Sequence, residues 1–280
     1  METVKRISLI VLLIGLFCLG FWIGYSYCCL PEKSDGFSKA VHVSFDDVVW
    51  VLEDLKQNER RYDSAFDNEF LAELKHMHED YGACFTLYVF EKADGFDIGD
   101  MPVKYRKELK ENASWLKWGF HWISPDFDKN ISLDDFKMSF FNVQNAISKF
   151  ADSSSLSHVL RLHYFYGNDS IVSFLDSCNI KGLLCADDDR CSYDLTKQEN
   201  EFMQKNFYVR RDVEYFKTNI RLENSLFLYY DLERLRNKDT LVIFTHEWAY
   251  DTRLHRFNYY KLCLNLEWLK KNGYKFTFLE

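Results

Sequence analysis

The sequence predicts an α/β fold: a parallel (β/α) barrel preceded by one N-terminal transmembrane helix. Three observations predict it. From residue 40 onward, apolar runs of strand length alternate with stretches of helical period, the pattern of a parallel sheet with crossover helices. The chain has 280 residues, a length at which closing such a sheet into a barrel is economical. The first 30 residues include a long run without any charge.

That run comes first. Lys5 and Arg6 precede residues 7–30, an uncharged segment longer than the apolar core of a signal peptide and long enough for the ~20 residues a spanning helix needs. Residues 1–30 therefore read as an uncleaved membrane anchor. The N-terminal positive flank places the N-terminus in the cytoplasm and the rest of the chain outside it. A cleaved signal peptide is the competing reading. Residues 31–39 are polar and read as a linker, and residues 40–280 form one domain.

Strands are expected at 40–45, 84–90, 116–121, 158–163, 181–185, 241–246 and 275–279, each rich in β-branched, aromatic or leucine side chains. Helices are expected at 68–79, 133–150, 170–177 and 257–271, where apolar residues recur at three- and four-residue spacing. A further helix begins at Val48, directly after the first strand. Residues 190–235 fit neither period, and read as a hairpin or an irregular excursion over one face.

Composition narrows the function. A formal net charge of −8 disfavours nucleic acid as a partner. Aromatic residues make up 18% of the chain, enough to build a large core and to line a sugar-stacking cleft. Cys84, Cys178, Cys185, Cys191 and Cys263 lie outside the apolar segment, and an odd number at irregular spacing is no disulfide framework. Cys185 and Cys191 form a bridge if the domain is exported; buried free thiols are the alternative.

The polar residues gather at strand ends. Asp46 and Asp47 follow the first strand and His121 ends the third. Arg161 and His163 end the fourth, Asp187 and Asp188 follow the fifth, and His246 ends the sixth. In a parallel barrel all strand C-termini open onto one face, where sites are built. The bland reading of the acidic pair is that one of them caps the following helix, which accounts for one carboxylate and not two.

The order SFDD (44–47), GFH (119–121) followed by Ser124 and Pro125, RLHYFYG (161–167) and LVIFTHE (241–247) resembles that of a divergent polysaccharide deacetylase domain. The resemblance runs from about residue 40 to the end and implies a distorted parallel (β/α) barrel of the polysaccharide deacetylase type. It also implies roles. Asp46 is the general base, Asp47 and His121 bind a divalent metal, Arg161 pairs with Asp46 and holds it charged, and His246 is the general acid. The family's metal motif has a second His four residues after the first. This chain has none there, and Asp126 is the nearest replacement, with His163 a second candidate. The implied ion is zinc, with manganese, cobalt or nickel as alternatives. Glu247 or an acidic residue near 187–189 is expected to orient His246. Tyr164, Trp122 and Trp248 are the expected sugar contacts. His76, His78 and His255 read as ordinary helix and turn residues.

Together these features predict a metal-dependent hydrolase that removes acetyl groups from an N-acetylated sugar in an envelope or extracellular glycan. The runner-up is a glycan-binding barrel that has lost its metal and its activity.

Overall fold

The computed structural model describes residues 12–16, 20, 39–205, 207–250 and 255–280. Among them are twelve strands: β1 (Lys39–Val48), β2 (Phe85–Phe90), β3 (Lys92–Ala93), β4 (Phe96–Asp97), β5 (Leu116–Trp122), β6 (Val159–Leu160), β7 (Gly182–Leu184), β8 (Phe207–Arg210), β9 (Val213–Phe216), β10 (Ile220–Arg221), β11 (Thr240–His246) and β12 (Tyr274–Phe276). One sheet runs β10-β11-β1-β2-β5 with every pair parallel. A second runs β6-β7-β9-β8, parallel except for the β8–β9 hairpin.

Two junctions close these sheets into a ring. A parallel bridge joins Trp118 on β5 to Leu156, just before β6. On the other side, the chain leaving β9 continues into β10, and the Asn219 amide donates to the Val242 carbonyl at 2.9 Å. The result is a distorted parallel barrel whose strand C-termini share one end. The last residues close the opposite end. The Thr277 amide bonds the Val41 carbonyl at 2.9 Å, and the Glu280 carboxylate accepts the His158 amide at 2.9 Å.

Most elements form where the sequence places them, although the strand expected at 158–163 is only Val159–Leu160 and the one at 275–279 is Tyr274–Phe276. Helix Leu133–Phe150 starts at Ser132, whose hydroxyl accepts the Asp135 amide, and buries Phe136, Phe140, Val143, Ile147 and Phe150 along one stripe. Helix Glu69–Tyr81 is capped by Asn68 and stops at Gly82, which takes the left-handed conformation (φ 73°). Helices Asp169–Ser177 and His255–Lys271 cover the remaining expected positions. Across the barrel, Tyr88 on β2 reaches the Val159 carbonyl with its hydroxyl (2.9 Å). It does so only because β5 carries glycine opposite it: a Cβ on Gly119 would stand 2.7 Å from the Tyr88 ring.

Three expectations need correction. The first strand does not stop at residue 45 but continues to Val48, and the next helix begins at Trp50. The excursion at 190–235 contains the hairpin, and it also supplies β9 and β10, the ring's missing wall. These were illegible because Lys217, Thr218 and Asn219 interrupt the wall between two runs of at most four residues. Cys185 and Cys191 are not bridged; the first is a buried thiol and the second an exposed one.

Among the described residues, no helix is long and apolar enough to cross a membrane. The expected anchor at 1–30 and the linker at 31–39 lie outside the described residues, apart from 12–16, 20 and Lys39.

His42 on β1 is buried, with Nδ1 against the Thr277 carbonyl at 3.2 Å. Burial and the charge of Arg161 outweigh that contact and hold its pKa at about 3. The unfolded chain takes up this proton near pH ~6.5 and the folded one does not, so stability falls as pH drops from about 6.5 toward 3. Replacing His42 with Asn removes up to about 1.4 kcal/mol per pH unit from that slope. Urea unfolding of both proteins across this range checks it; identical slopes would show that His42 is protonated in the fold.

Candidate active site

The site begins with an irregularity in β1. In a regular strand adjacent side chains point to opposite faces, so two neighbouring carboxylates cannot both face the mouth of a barrel. Here the register of β1 against β2 shifts between Phe45 and Val48, and Asp47 takes a left-handed conformation (φ 57°). This bulge lets Asp46, paired in register with His246, and Asp47 serve the same site.

Neither aspartate caps the next helix. Its cap position, Val49, has no side-chain cap of its own. Instead the buried carboxylate of Glu247, from the end of β11, accepts the amides of Val49 (2.7 Å), Trp50 (2.8 Å) and Val51 (2.8 Å). Glu247 was expected beside His246 and is found fastening the bulge instead.

Around Asp47 three donor atoms converge. Asp47 Oδ1 lies 3.2 Å from His121 Nε2 and 3.4 Å from His163 Nδ1, and the two imidazole nitrogens are 3.2 Å apart. His121 donates from Nδ1 to the Arg161 carbonyl (2.6 Å), which leaves the Nε2 lone pair of the neutral ring aimed at the carboxylate. Lone pairs so placed repel one another unless a cation lies between them. Four donors at about 2.0–2.1 Å around a tetrahedral ion are about 3.3–3.4 Å apart, close to these three edges. The residues fit a divalent ion held by two nitrogens and one oxygen, a set that suits zinc.

Asp126, expected as the third donor, is exposed and outside this group; His163 stands there. His163 and Asp126 sit in different loops, and only the convergence of strand ends decides between them.

The other expected residues surround the triad. Arg161 is fully buried, with one guanidinium nitrogen 3.4 and 3.5 Å from the two oxygens of Asp46 and 3.3 Å from the Ser44 hydroxyl. Its other terminal nitrogen donates to Thr218 at 3.0 Å, and the group lies 4.1 Å over the Phe244 ring. His246 donates from Nδ1 to Glu223 at 2.6 Å, leaving Nε2 3.8 Å from Asp47. Burial lowers the His246 pKa, but Glu223 and the two aspartates raise it above the ordinary value. Burial also works against Glu223, yet contact with His246 brings its carboxyl down to about 2.

Sequence reasoning missed Glu223. It lies in RLENS (221–225), one turn past β10, in the stretch with no readable period. Asp188 instead pairs with Arg190 in an exposed turn. Trp122, expected at the sugar, is core, packed against Phe127, Phe136 and Tyr166. Tyr164 (58% exposed) and Trp248 (43% exposed) do stand at the mouth, on either side of the triad.

No family model matches the chain, and no curated protein matches it. Among solved structures it is similar to a peptidoglycan N-acetylglucosamine deacetylase crystallised with an N-oxidanyl-benzamide ligand, at 12% identity and a TM-score of 0.49, over 88% of this chain and 87% of that one. It is also similar to a mutant of a peptidoglycan deacetylase from Bacillus subtilis, at 14% identity and a TM-score of 0.44, over 87% of this chain and 89% of that one. At such distances, what carries a functional reading is the site's own geometry.

Glu247→Gln tests the fastening of the bulge. A carboxamide has one acceptor oxygen, enough for the two amides that share Oε2 but not for the third, and a buried unsatisfied donor costs about 1–3 kcal/mol. Chemical unfolding of the variant should show a loss of that size, and unchanged stability would mean that the helix start is satisfied by other groups.

Proposed function

We propose that this protein is a metal-dependent hydrolase that removes the acetyl group from an N-acetylated sugar of an extracytoplasmic glycan. The observation that supports this most is the triangle of Asp47, His121 and His163 between a buried Asp46–Arg161 pair and a Glu223–His246 pair. His163 lies within donor distance of Asp47 and His121, which supports the enzyme reading over that of an inactive binding module.

A divalent ion held by Asp47, His121 and His163 would supply polarisation of the acetyl carbonyl and acidification of a water. The chain's own groups do the rest. Asp46, oriented by Arg161, takes the proton of the attacking water as the new C–O bond forms. His246, held by Glu223 with Nε2 toward the site, gives a proton to the sugar nitrogen as the C–N bond breaks. Acetate and a free amine result. Tyr164 and Trp248 offer ring faces to the sugar.

The anchor reading of residues 1–30 completes the proposal: the chain is held in a membrane, N-terminus cytoplasmic, with the barrel outside on the side of its substrate. Protease added to intact cells should digest the barrel, and full protection would reverse this topology.

Activity is tested by acetate release from an N-acetylglucosamine oligomer with zinc, manganese, cobalt or nickel supplied. Asp47→Asn should lower bound metal and activity together. Asp46→Asn should keep its metal and lose on the order of 10²–10⁴ in rate. His246→Ala should slow amide hydrolysis by a similar factor but spare an activated aryl acetate, whose leaving group needs no proton. Wild-type protein that binds metal and oligomer yet releases no acetate would overturn the reading.

A further inference from the structure

Trp248 touches both halves of the site. Its indole stacks on His246, with ring centroids 5.1 Å apart and planes 25° from parallel. Its N–H donates to Asp47 Oδ2 at 3.1 Å, while Oδ1 of the same carboxylate faces His121 and His163. A carboxylate with a free second oxygen can rotate or chelate an ion through both atoms. One with that oxygen held offers a single donor in a fixed direction. The indole N–H suits this task because it donates and cannot accept, so it never competes as a ligand.

The residue is itself well anchored. It follows Glu247, whose carboxylate is tied to three amides, and it rests on an imidazole whose far nitrogen is bound to Glu223. A continuous path of contacts thus runs Glu223–His246–Trp248–Asp47.

We propose that Trp248 is a positioning residue that holds Asp47 as a one-oxygen metal donor and ties that donor to the ring of His246. This rests on the assignment of Asp47, His121 and His163 as metal donors, and the test separates the two.

Zinc affinity is measured by competition with a chromophoric chelator for the wild-type protein, Trp248→Phe and Trp248→Ala, together with the unfolding midpoint of each metal-free protein. Trp248→Phe keeps a stacking ring and loses only the N–H. It should bind zinc about 10–100-fold more weakly, the usual cost of losing a group that supports a metal ligand, with an unchanged metal-free midpoint. Trp248→Ala should bind at least as weakly. Zinc affinity of Trp248→Phe within about two-fold of wild type would overturn the proposal, and so would a metal-free midpoint that falls in step with affinity. Wild-type protein that binds no zinc would overturn the underlying metal assignment instead.

Discussion

The site depends on the clasp between Glu247 and the three amides that follow the bulge in β1. A strand that ends in two adjacent carboxylates has no regular way to present both to one side. The bulge solves this by putting Asp47 in a conformation that non-glycine residues seldom adopt, at a cost in backbone energy. Glu247 offsets that cost by satisfying the first free amides of the next helix, where a negative charge is also favoured by the helix dipole. Because Glu247 directly follows His246, the same contact sets the spacing between the ends of β1 and β11.

Arg161 imposes the second constraint. A guanidinium and a carboxylate, both almost wholly removed from water, are tolerable only as a pair with additional polar partners. Ser44 supplies one from β1 and Thr218 the other from the link between β9 and β10, and Phe244 offers its ring face to the cation. Removing one member of such a pair costs about 3–5 kcal/mol, because the other is then left buried and charged. The pair is therefore a fastening between β1, the end of β6, the link between β9 and β10, and β11.

These two constraints leave Asp47, His121 and His163 little freedom. His121 is fixed through its Nδ1 hydrogen bond to the backbone of the very residue that holds Asp46, so Asp46 and His121 are oriented by one strand end. His163 stands two residues beyond, in a short turn where Tyr164 and Phe165 both take positive φ. This turn directs the His163 ring back toward His121 rather than out along the chain.

Much of this was legible in the sequence, because strands and helices write their periodicity locally. The runs 116–121 and 241–246, the stripe on 133–150, and the placement of Asp46, Asp47, His121, Arg161 and His246 at strand ends all follow from short-range pattern. What the sequence could not decide were choices between residues far apart along the chain. His163 rather than Asp126 joins Asp47 because two strand ends converge. Glu223 rather than Glu247 orients His246 because β10 lies beside β11, and Trp122 is core because helix Leu133–Phe150 folds over it. Periodicity fixes which way a side chain leaves its own strand; only the closed ring fixes what it meets.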